Sequence, residues 1–381
     1  MAISTSSGQE AIIHYTLDGS EPSPDHGLVY ESPITVSTTT TLRAMAFREG
    51  WESTNVDTYT YVFVDDVARQ PAQPSGWPQN WGRNSEGDGR DGVGNGKVPA
   101  DYEMDPRVVD QTLEGFGIRD ALLDIPSVSI VMHPDDFIEP GRGIYSIPQS
   151  RIERVCSMEY LHPDGAKGFQ ENAKIEVHGN SSRRPWRMQK HSLRITFSGQ
   201  VGVKSLDYPL FENSPVSRFN QLVLRACFTD SWALVSWGSS RYRPNDSQYI
   251  RDVWMKESLR DMGQPSSHGS FVHLYVNGLY FGLHNLTERL AEDFFADHLG
   301  GDPEDWEINE DFGSPGPRWN QMLSMDVMGP DAYAELHQYV DLANLADYSL
   351  LHFYADAEDW PHHNGCLLYT SDAADEEDSV D

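Results

Sequence analysis

The sequence predicts an α+β protein in which a small β-sandwich precedes a larger body made of strands and then helices. Apolar and polar residues alternate with a period of two through residues 10–64, which is typical of short strands. Further strand patterns lie between residues 128 and 284, and helical patterns follow from residue 288 onward. The chain has 381 residues, which is enough for two or three domains with substantial cores.

Charge and composition exclude several classes of protein. With 28 basic and 59 acidic residues, the formal net charge is 28 − 59 = −31. Broad binding to nucleic acid or to anionic membranes needs a basic face, so this excess argues against both. No apolar run approaches the roughly 18 residues of a membrane span. Cys156, Cys227 and Cys366 are too widely spaced for a disulfide framework or a paired-cysteine metal site, although a single Cys156–Cys227 bridge stays open.

Residues 1–64 form the predicted β-sandwich. Strand patterns occur at 11–16, 41–46 and 58–63, with turn residues between them. A Tyr-Thr-x-Asp-Gly-x-x-Pro pattern is matched by Tyr15, Thr16, Asp18, Gly19 and Pro22. These residues resemble the chitobiase/β-hexosaminidase C-terminal-like domain. The resemblance implies an Ig-like β-sandwich of a kind that accompanies extracellular enzymes and is not itself catalytic.

Residues 65–124 are interpreted as a linker and lead-in segment. Proline and glutamine punctuate 70–74, and glycine, asparagine and aspartate dominate 82–96. Such composition indicates a linker or a long ordered loop. Trp77 and Trp81 indicate that the segment packs against a neighbouring surface.

The larger body extends over residues 125–365. The strongest local signal is a hairpin, because Asn277-Gly278 between two apolar runs is typical of a type I′ turn. The predicted strands are 128–132, 173–178, 192–197, 221–225, 270–276 and 279–284, and the predicted helices are 250–262, 288–299, 330–340 and 343–356.

Four sequence blocks in this body occur in a recognisable order. They are His178-Gly-Asn-Ser-Ser-Arg183 with Lys190-His-Ser-Leu-Arg194, Tyr249-Ile-Arg-Asp252, the hairpin and its exit from Leu274 to Arg289, and Ala357-Glu-Asp359-Trp-Pro-His-His-Asn364. Together they resemble the CotH family of spore-coat-type protein kinases over roughly 125–365. The resemblance implies an atypical protein-kinase-like α+β domain that uses ATP and Mg²⁺.

Phosphoryl transfer needs positive charge on the ATP phosphates, and Lys190 is the predicted phosphate-binding lysine. Glu288 is predicted to pair with Lys190, as a helix glutamate pairs with the strand lysine of kinases. Arg183 and Arg194 are further candidates for cofactor binding. Each of these residues has an alternative interpretation. Lys190 would be an ordinary surface lysine, and Glu288 would be a glutamate favoured by the dipole at a helix start. Arg183 and Arg194 would lie at the surface or pair with carboxylates.

Asp359 is predicted to be the catalytic residue that orients the substrate hydroxyl, and Asn364 is predicted to bind the metal ion. An Asp followed five residues later by an Asn is the spacing of the kinase catalytic loop. The alternative is an Asx turn ahead of Pro361. His362 and His363 are adjacent, so in an extended segment they point to opposite faces and a shared metal site is disfavoured.

The C-terminal segment stands apart. Residues 366–376 read CLLYTSDAADE, which looks like a translated sequencing adapter. We therefore expect 366–381 to be a non-native tail, with an acidic solvated tail as the alternative. Its six acidic residues leave −31 + 6 = −25 for the rest. In CotH-like proteins a second metal-binding aspartate lies downstream of the Asp359 block, so we expect this kinase domain to be truncated at its C-terminus, with doubtful activity.

Three functions compete. We predict ATP-dependent phosphoryl transfer to Ser or Thr of secreted or surface proteins, outside the cell, with the N-terminal module serving for cell-surface or carbohydrate attachment. A secretion signal would then lie upstream. A non-catalytic cell-surface or carbohydrate-associated binding protein is the alternative. A glycan hydrolase is a third, but it needs two carboxylates about 5–10 Å apart, and no sequence block singles out such a pair.

Overall fold

The structure is a computed structural model that describes residues 1–5, 11–83, 97–184, 188–232, 244–310, 317–357, 360 and 366–370. The chain divides into two compact units. The first comprises Met1–Tyr208, Asn220–Tyr249 and Ser270–Thr287, and the second comprises Pro209–Phe219, Ile250–Gly269 and Glu288–Asp381.

The N-terminal module contains one antiparallel sheet. Its strands are β1 (Ile12–Thr16), β2 (Leu28–Val29), β3 (Thr40–Phe47) and β4 (Asp57–Tyr61), in the order β2-β1-β3-β4. β3 is the most buried strand, with Leu42, Ala44 and Ala46 in the core. The three predicted strands are confirmed. The second sheet of a sandwich is not among the strands described for residues 1–5 and 11–64.

The module packs on the first unit's barrel through polar side chains. The Thr58 hydroxyl donates a hydrogen bond to Ser157 Oγ at 2.9 Å. The Thr60 backbone N–H donates to Glu159 Oε1 at 3.1 Å, and its hydroxyl lies 2.5 Å from Glu159 Oε2. Because Thr58, Ser157 and Glu159 are buried, these bonds satisfy groups that would otherwise be costly to bury.

The lead-in segment is held by aromatic and amide contacts. It contains α1 (Val64–Ala68), β5 (Asn80–Arg83), β6 (Lys97–Pro99), α2 (Pro106–Val109), β7 (Thr112–Leu113), β8 (Phe116–Gly117) and α3 (Ile118–Asp124). The Trp77 ring lies 5.6 Å from Tyr102 and 5.7 Å from Phe281 between ring centroids. The Gln70 amide bonds to the backbone of Tyr102 and Tyr280. These contacts attach the described part of the segment to the barrel.

Seven strands of the larger body close into a barrel in the order β10-β11-β12-β15-β17-β16-β9. The β9–β16 pair is parallel. The elements from here to the hairpin are β9 (Ser127–Val131), α4 (Pro134–Ile138), β10 (Arg154–Leu161), β11 (Phe169–His178), β12 (Ser192–Thr196), β13 (Leu206–Asp207), β14 (Arg218–Phe219), β15 (Gln221–Arg225), α5 (Arg251–Asp261), β16 (Gly269–Val276) and β17 (Leu279–Glu288). The predicted strands of this region are confirmed, and β10 was not predicted.

The predicted hairpin is confirmed in its turn as well as its strands. Asn277 and Gly278 have φ of 47° and 78°, as a type I′ turn requires. β17 continues to Glu288, whose N–H donates to the His268 carbonyl at 3.1 Å. The helix predicted at 288–299 therefore begins only at Glu292, and the predicted start was wrong because strand pairing persists.

The second unit is mainly helical. It continues with α6 (Glu292–Leu299), β18 (Trp306–Glu310), α7 (Pro317–Leu323), α8 (Ala332–Leu336), α9 (Leu342–Tyr354) and β19 (Cys366–Thr370). α5 packs against α9, and Gln264, three residues after the end of α5, donates from Nε2 to Asp347 Oδ2 of α9 at 2.7 Å. β19 pairs antiparallel with β18. The non-native origin of 366–381 stays a prediction, since strand pairing does not test it.

The mixed α and β content and the β-rich N-terminal module confirm the coarse fold prediction, whereas the kinase-like arrangement remains a prediction. Cys156 and Cys227 are buried free thiols, so the structure does not contain a bridge between them. None of the helices in the described ranges combines the length and apolar character needed to cross a bilayer.

Candidate functional site

Lys190 lies two residues before β12, within the first unit. Its ammonium Nζ donates hydrogen bonds to Tyr249 Oη and to the Leu283 carbonyl. Nζ also lies 4.9 Å from the centre of the Tyr249 ring, within the range of a cation–π contact. A Cβ on Gly282 would lie 3.4 Å from Nζ, and Gly282 has φ of +92°. A glycine on β17 therefore leaves room for the lysine head group.

The hydrogen-bond partners of Lys190 are neutral dipoles, and this controls its charge. Burial lowers the pKa of Lys190 to about 7, because a cation out of water is not compensated by these partners. Near neutral pH the amine is therefore close to half protonated. An anion placed beside Nζ would favour the charged form. The site can thus take up a proton as it binds a phosphate.

Tyr249 orients this lysine, and sequence reasoning did not single it out. Its ring stacks on Trp232 at 5.5 Å with an interplanar angle of 20°, and its hydroxyl donates to the Leu283 carbonyl at 2.7 Å. Burial raises the pKa of Tyr249, so the phenol stays neutral. Its φ of 68° is unusual for a non-glycine residue. The available signal was its position at the start of the Tyr249-Ile-Arg-Asp252 block.

Two buried histidines lie next to this lysine. The His191 backbone N–H donates to Tyr145 Oη at 2.9 Å, and its ring Nδ1 lies 2.8 Å from the Ser182 carbonyl. Burial lowers the pKa of His191 to about 4, and burial together with the Lys190 charge lowers that of His284 well below its usual value. Both rings are therefore neutral at pH 7 and leave Lys190 as the titrating cation of this group.

The two predicted arginines have other partners. Arg194 pairs with Glu176 at 2.8 Å between Nη2 and Oε1, which is the carboxylate-paired alternative. Arg183 is buried and donates from Nη1 to the Gln149 carbonyl at 3.1 Å. Burial, followed by the nearby Arg151 charge, lowers the pKa of Arg183. Neither contact shows a phosphate-binding site, so the roles of Arg183 and Arg194 in cofactor binding stay predictions.

Glu288 is the last residue of β17 and belongs to a cluster with two histidines of the second unit. His268 Nδ1 lies 2.9 Å from Oε2, and His298 Nε2 lies 2.8 Å from Oε1. The His268 backbone N–H also donates to Oε2 at 2.7 Å. Burial raises the pKa of Glu288, but the hydrogen bonds from His298 and His268 together outweigh it and leave the pKa below the ordinary value.

The predicted Lys190–Glu288 pair is thus not supported by the hydrogen bonds of either residue. Lys190 bonds to Tyr249 and Leu283, and Glu288 bonds to the two histidines. The pairing stays a prediction. The alternative for Glu288, a position at a helix start, is wrong, because the residue ends a strand.

Asp359 and Asn364 lie outside the described residues, as do His362 and His363. Their described neighbour Trp360 stacks on His352 of α9 with ring centroids 5.0 Å apart and an interplanar angle of 26°. It also contacts the Phe353 ring at 5.4 Å. Trp360, a described residue of this block, therefore packs on α9.

Family comparisons agree with both resemblances. Residues 2–58 match the model of the Chitobiase/beta-hexosaminidase C-terminal domain. Residues 175–309 match the model of the CotH kinase protein family. This second match includes Lys190 and Glu288 and ends before Asp359. No curated protein is similar enough to this chain to serve as a relative. The matches confirm the predicted layout, in which a chitobiase C-terminal-like module precedes a CotH kinase domain.

Proposed function

We propose that this protein transfers the γ-phosphoryl group of ATP to Ser or Thr hydroxyls of other proteins. The CotH match supports a kinase-like activity. The observation that carries the proposal is the Lys190 amine, which lies within the matched segment and is held by neutral dipoles that do not neutralise it. Among the described residues, this half-buried amine bonds to a hydroxyl and a carbonyl rather than to a carboxylate. It is therefore suited to bind an anion, and ATP phosphates supply negative charge.

In the proposed reaction Lys190 holds phosphate oxygens and keeps a proton on Nζ while they are bound. Asp359 orients the acceptor hydroxyl and accepts its proton, and Asn364 would hold a Mg²⁺ ion. When bound, Mg²⁺-ATP supplies the phosphoryl group and neutralises part of its charge. Tyr249 acts as a positioning residue, because it contacts Nζ and fixes its direction.

The setting of the proposed kinase is extracellular, with secreted or surface proteins as substrates. The support is the N-terminal module, whose match is to a domain named for chitobiase and β-hexosaminidase. The module lies on the barrel through the Thr60–Glu159 bonds, within the same unit as Lys190. We propose that it attaches the enzyme to a cell surface or carbohydrate.

The test is transfer of labelled γ-phosphate to Ser- and Thr-containing peptides by the wild type and by Asp359→Asn. We expect the variant to lose transfer while keeping nucleotide binding, because the carboxylate acts on the hydroxyl rather than on ATP. Asp356→Asn is the matched control, since Asp356 has φ of 52°, which asparagine tolerates. Equal transfer by wild type and Asp359→Asn would contradict the assigned role.

A non-catalytic binding protein is the second candidate. It is favoured by one observation, namely that the CotH match ends before Asp359, so the catalytic loop depends on the Asp359–Asn364 spacing alone. Under this alternative the wild type transfers no phosphate to any peptide, even when nucleotide binds. The transfer assay above therefore separates the two functions directly.

A further inference from the structure

Three metal-ligating side chains converge where β17 ends, and we propose that His268, Glu288 and His298 bind a zinc ion. Their ligand atoms all lie within 4.8 Å of one another. In the part of the chain that the structure describes, this is the group of histidine and carboxylate side chains that meets such a spacing. The proposed phosphoryl transfer does not use His268 or His298, and the zinc site stands on its own geometry.

The ligand set is chemically suited to zinc. Two imidazoles and one carboxylate are a known Zn²⁺ ligand set, with bond lengths of about 2.0–2.2 Å and a fourth position for water. Tetrahedral ligands at that distance lie about 3.4 Å apart. The observed 2.8 and 2.9 Å separations from the carboxylate oxygens need only small side-chain rotations to admit an ion.

The three side chains are held in place before any ion binds. His298 packs on Phe294 with ring centroids 4.2 Å apart. The His268 and His298 rings are nearly parallel, with an interplanar angle of 11°. Glu288 is 5% exposed, so its carboxylate has few competing contacts with water. Preorganised ligands reduce the entropy lost on binding.

The local charge also favours a cation. Asp297 is close enough for its charge to interact with both Glu288 and His298, and Asp293 adds a further acid on the same helix, although the Arg218 guanidinium interacts with Asp297 more strongly and offsets part of this negative charge. In the metal-free state each histidine presents an N–H to the carboxylate. Zinc binding would move each ring proton to its other nitrogen, so that the ligating nitrogen carries a lone pair.

The expected consequence is a clamp on three segments. His268 precedes β16, Glu288 ends β17, and His298 lies in the last turn of α6. A bound ion would join these segments and would commit Glu288 to the metal instead of to Lys190. The competing interpretation is that these three residues form a hydrogen-bonded cluster that does not bind an ion.

The experiment is calorimetric titration of zinc into chelator-treated full chain, with Co²⁺ absorption as a second readout. We expect one Zn²⁺ per chain and a visible Co²⁺ spectrum of tetrahedral type. His298→Ala and Glu288→Gln should each weaken zinc binding by about 100-fold or more, since loss of an outer-shell partner alone costs 10–100-fold.

Two controls make the assignment specific. His337→Ala removes an exposed histidine of the same unit and should bind zinc as the wild type does. The double variant His362→Ala/His363→Ala should also bind normally, which excludes the adjacent pair. Absence of zinc binding by the wild type, or its loss in the double variant, would overturn the proposal. The titration of the wild type tests the proposal without any variant. A variant that fails to fold would therefore not leave the proposal untested.

Discussion

Glu159 and Glu288 are both buried, at 4% and 5% exposure, yet their surroundings shift the pKa of the carboxyl group in opposite directions. Glu159 lies where the N-terminal module meets the barrel and bonds to the Thr60 hydroxyl and N–H. Burial raises its pKa to about 7, against the effect of those bonds. Glu288 bonds to two imidazoles, and its pKa is lowered despite burial. Burial alone therefore does not decide the charge of a carboxylate, and its partners do.

In its surroundings, Lys190 resembles Glu159 more closely than it resembles Glu288. Its partners are also neutral dipoles, and its charged form is also disfavoured by burial. The difference lies in what could compensate the charge. Glu159 is enclosed by the module that packs on it, whereas Lys190 is only partly buried and faces a glycine. Of the three groups compared, Lys190 is therefore the one best placed for a ligand to compensate its charge.

The largest effect on stability is expected at Glu288. Glu288→Ala should lower the free energy of unfolding by about 3 kcal/mol, because breaking a buried hydrogen-bonded charge cluster leaves its partners unsatisfied. Denaturant unfolding measures the change. Glu307→Ala, at an exposed strand position, should change stability by less than about 0.5 kcal/mol. Equal effects at the two positions would contradict the description of the Glu288 cluster.

A smaller effect is expected at Lys190, and it depends on pH. The folded-state pKa is about 7, below the ordinary 10.5, so the unfolded chain binds more protons between these values. The stability of the wild type should therefore rise relative to Lys190→Met as pH increases from about 7 to 10. We expect a gain of about 2–3 kcal/mol, discounted for partial exposure. If the difference in stability between the two proteins did not change with pH, the description of Lys190 as a lysine whose charged form is disfavoured by burial would be contradicted.

The opposite slope is expected at Glu159. Its folded-state pKa of about 7 lies above the ordinary 4.5, so the folded chain retains a proton that the unfolded chain loses. Stability relative to Glu159→Gln should fall by about 2 kcal/mol as pH rises from about 4.5 to 7. Glutamine is the suitable variant because it mimics the protonated acid toward Thr60. If stability relative to Glu159→Gln instead rose with pH, the carboxylate would be ionised in the folded protein.

The features predicted correctly from sequence are mainly local ones. The Asn277-Gly278 turn and the alternating strands depend on neighbouring residues, so a pattern of a few residues predicts them. The end of β17 was misjudged because the Glu288 backbone pairs with His268, 20 residues away. The partners of Lys190 and Glu288, and the closure of the barrel, likewise come from residues distant in sequence. The CotH motifs identified Lys190 without revealing that Tyr249 holds it.

The central claim is that Lys190 binds the phosphates of a nucleotide, and calorimetric titration with Mg²⁺-ATP at pH 7.5 tests it most directly. Loss of a buried charge contact costs about 2–5 kcal/mol, so Lys190→Met should bind at least about 30-fold more weakly. Lys204→Met, at an exposed lysine, is the control and should bind as the wild type does. Wild-type binding should also take up protons, because the phosphate raises the pKa of Lys190 from about 7. No binding by the wild type, or equal affinity in Lys190→Met, would contradict the account.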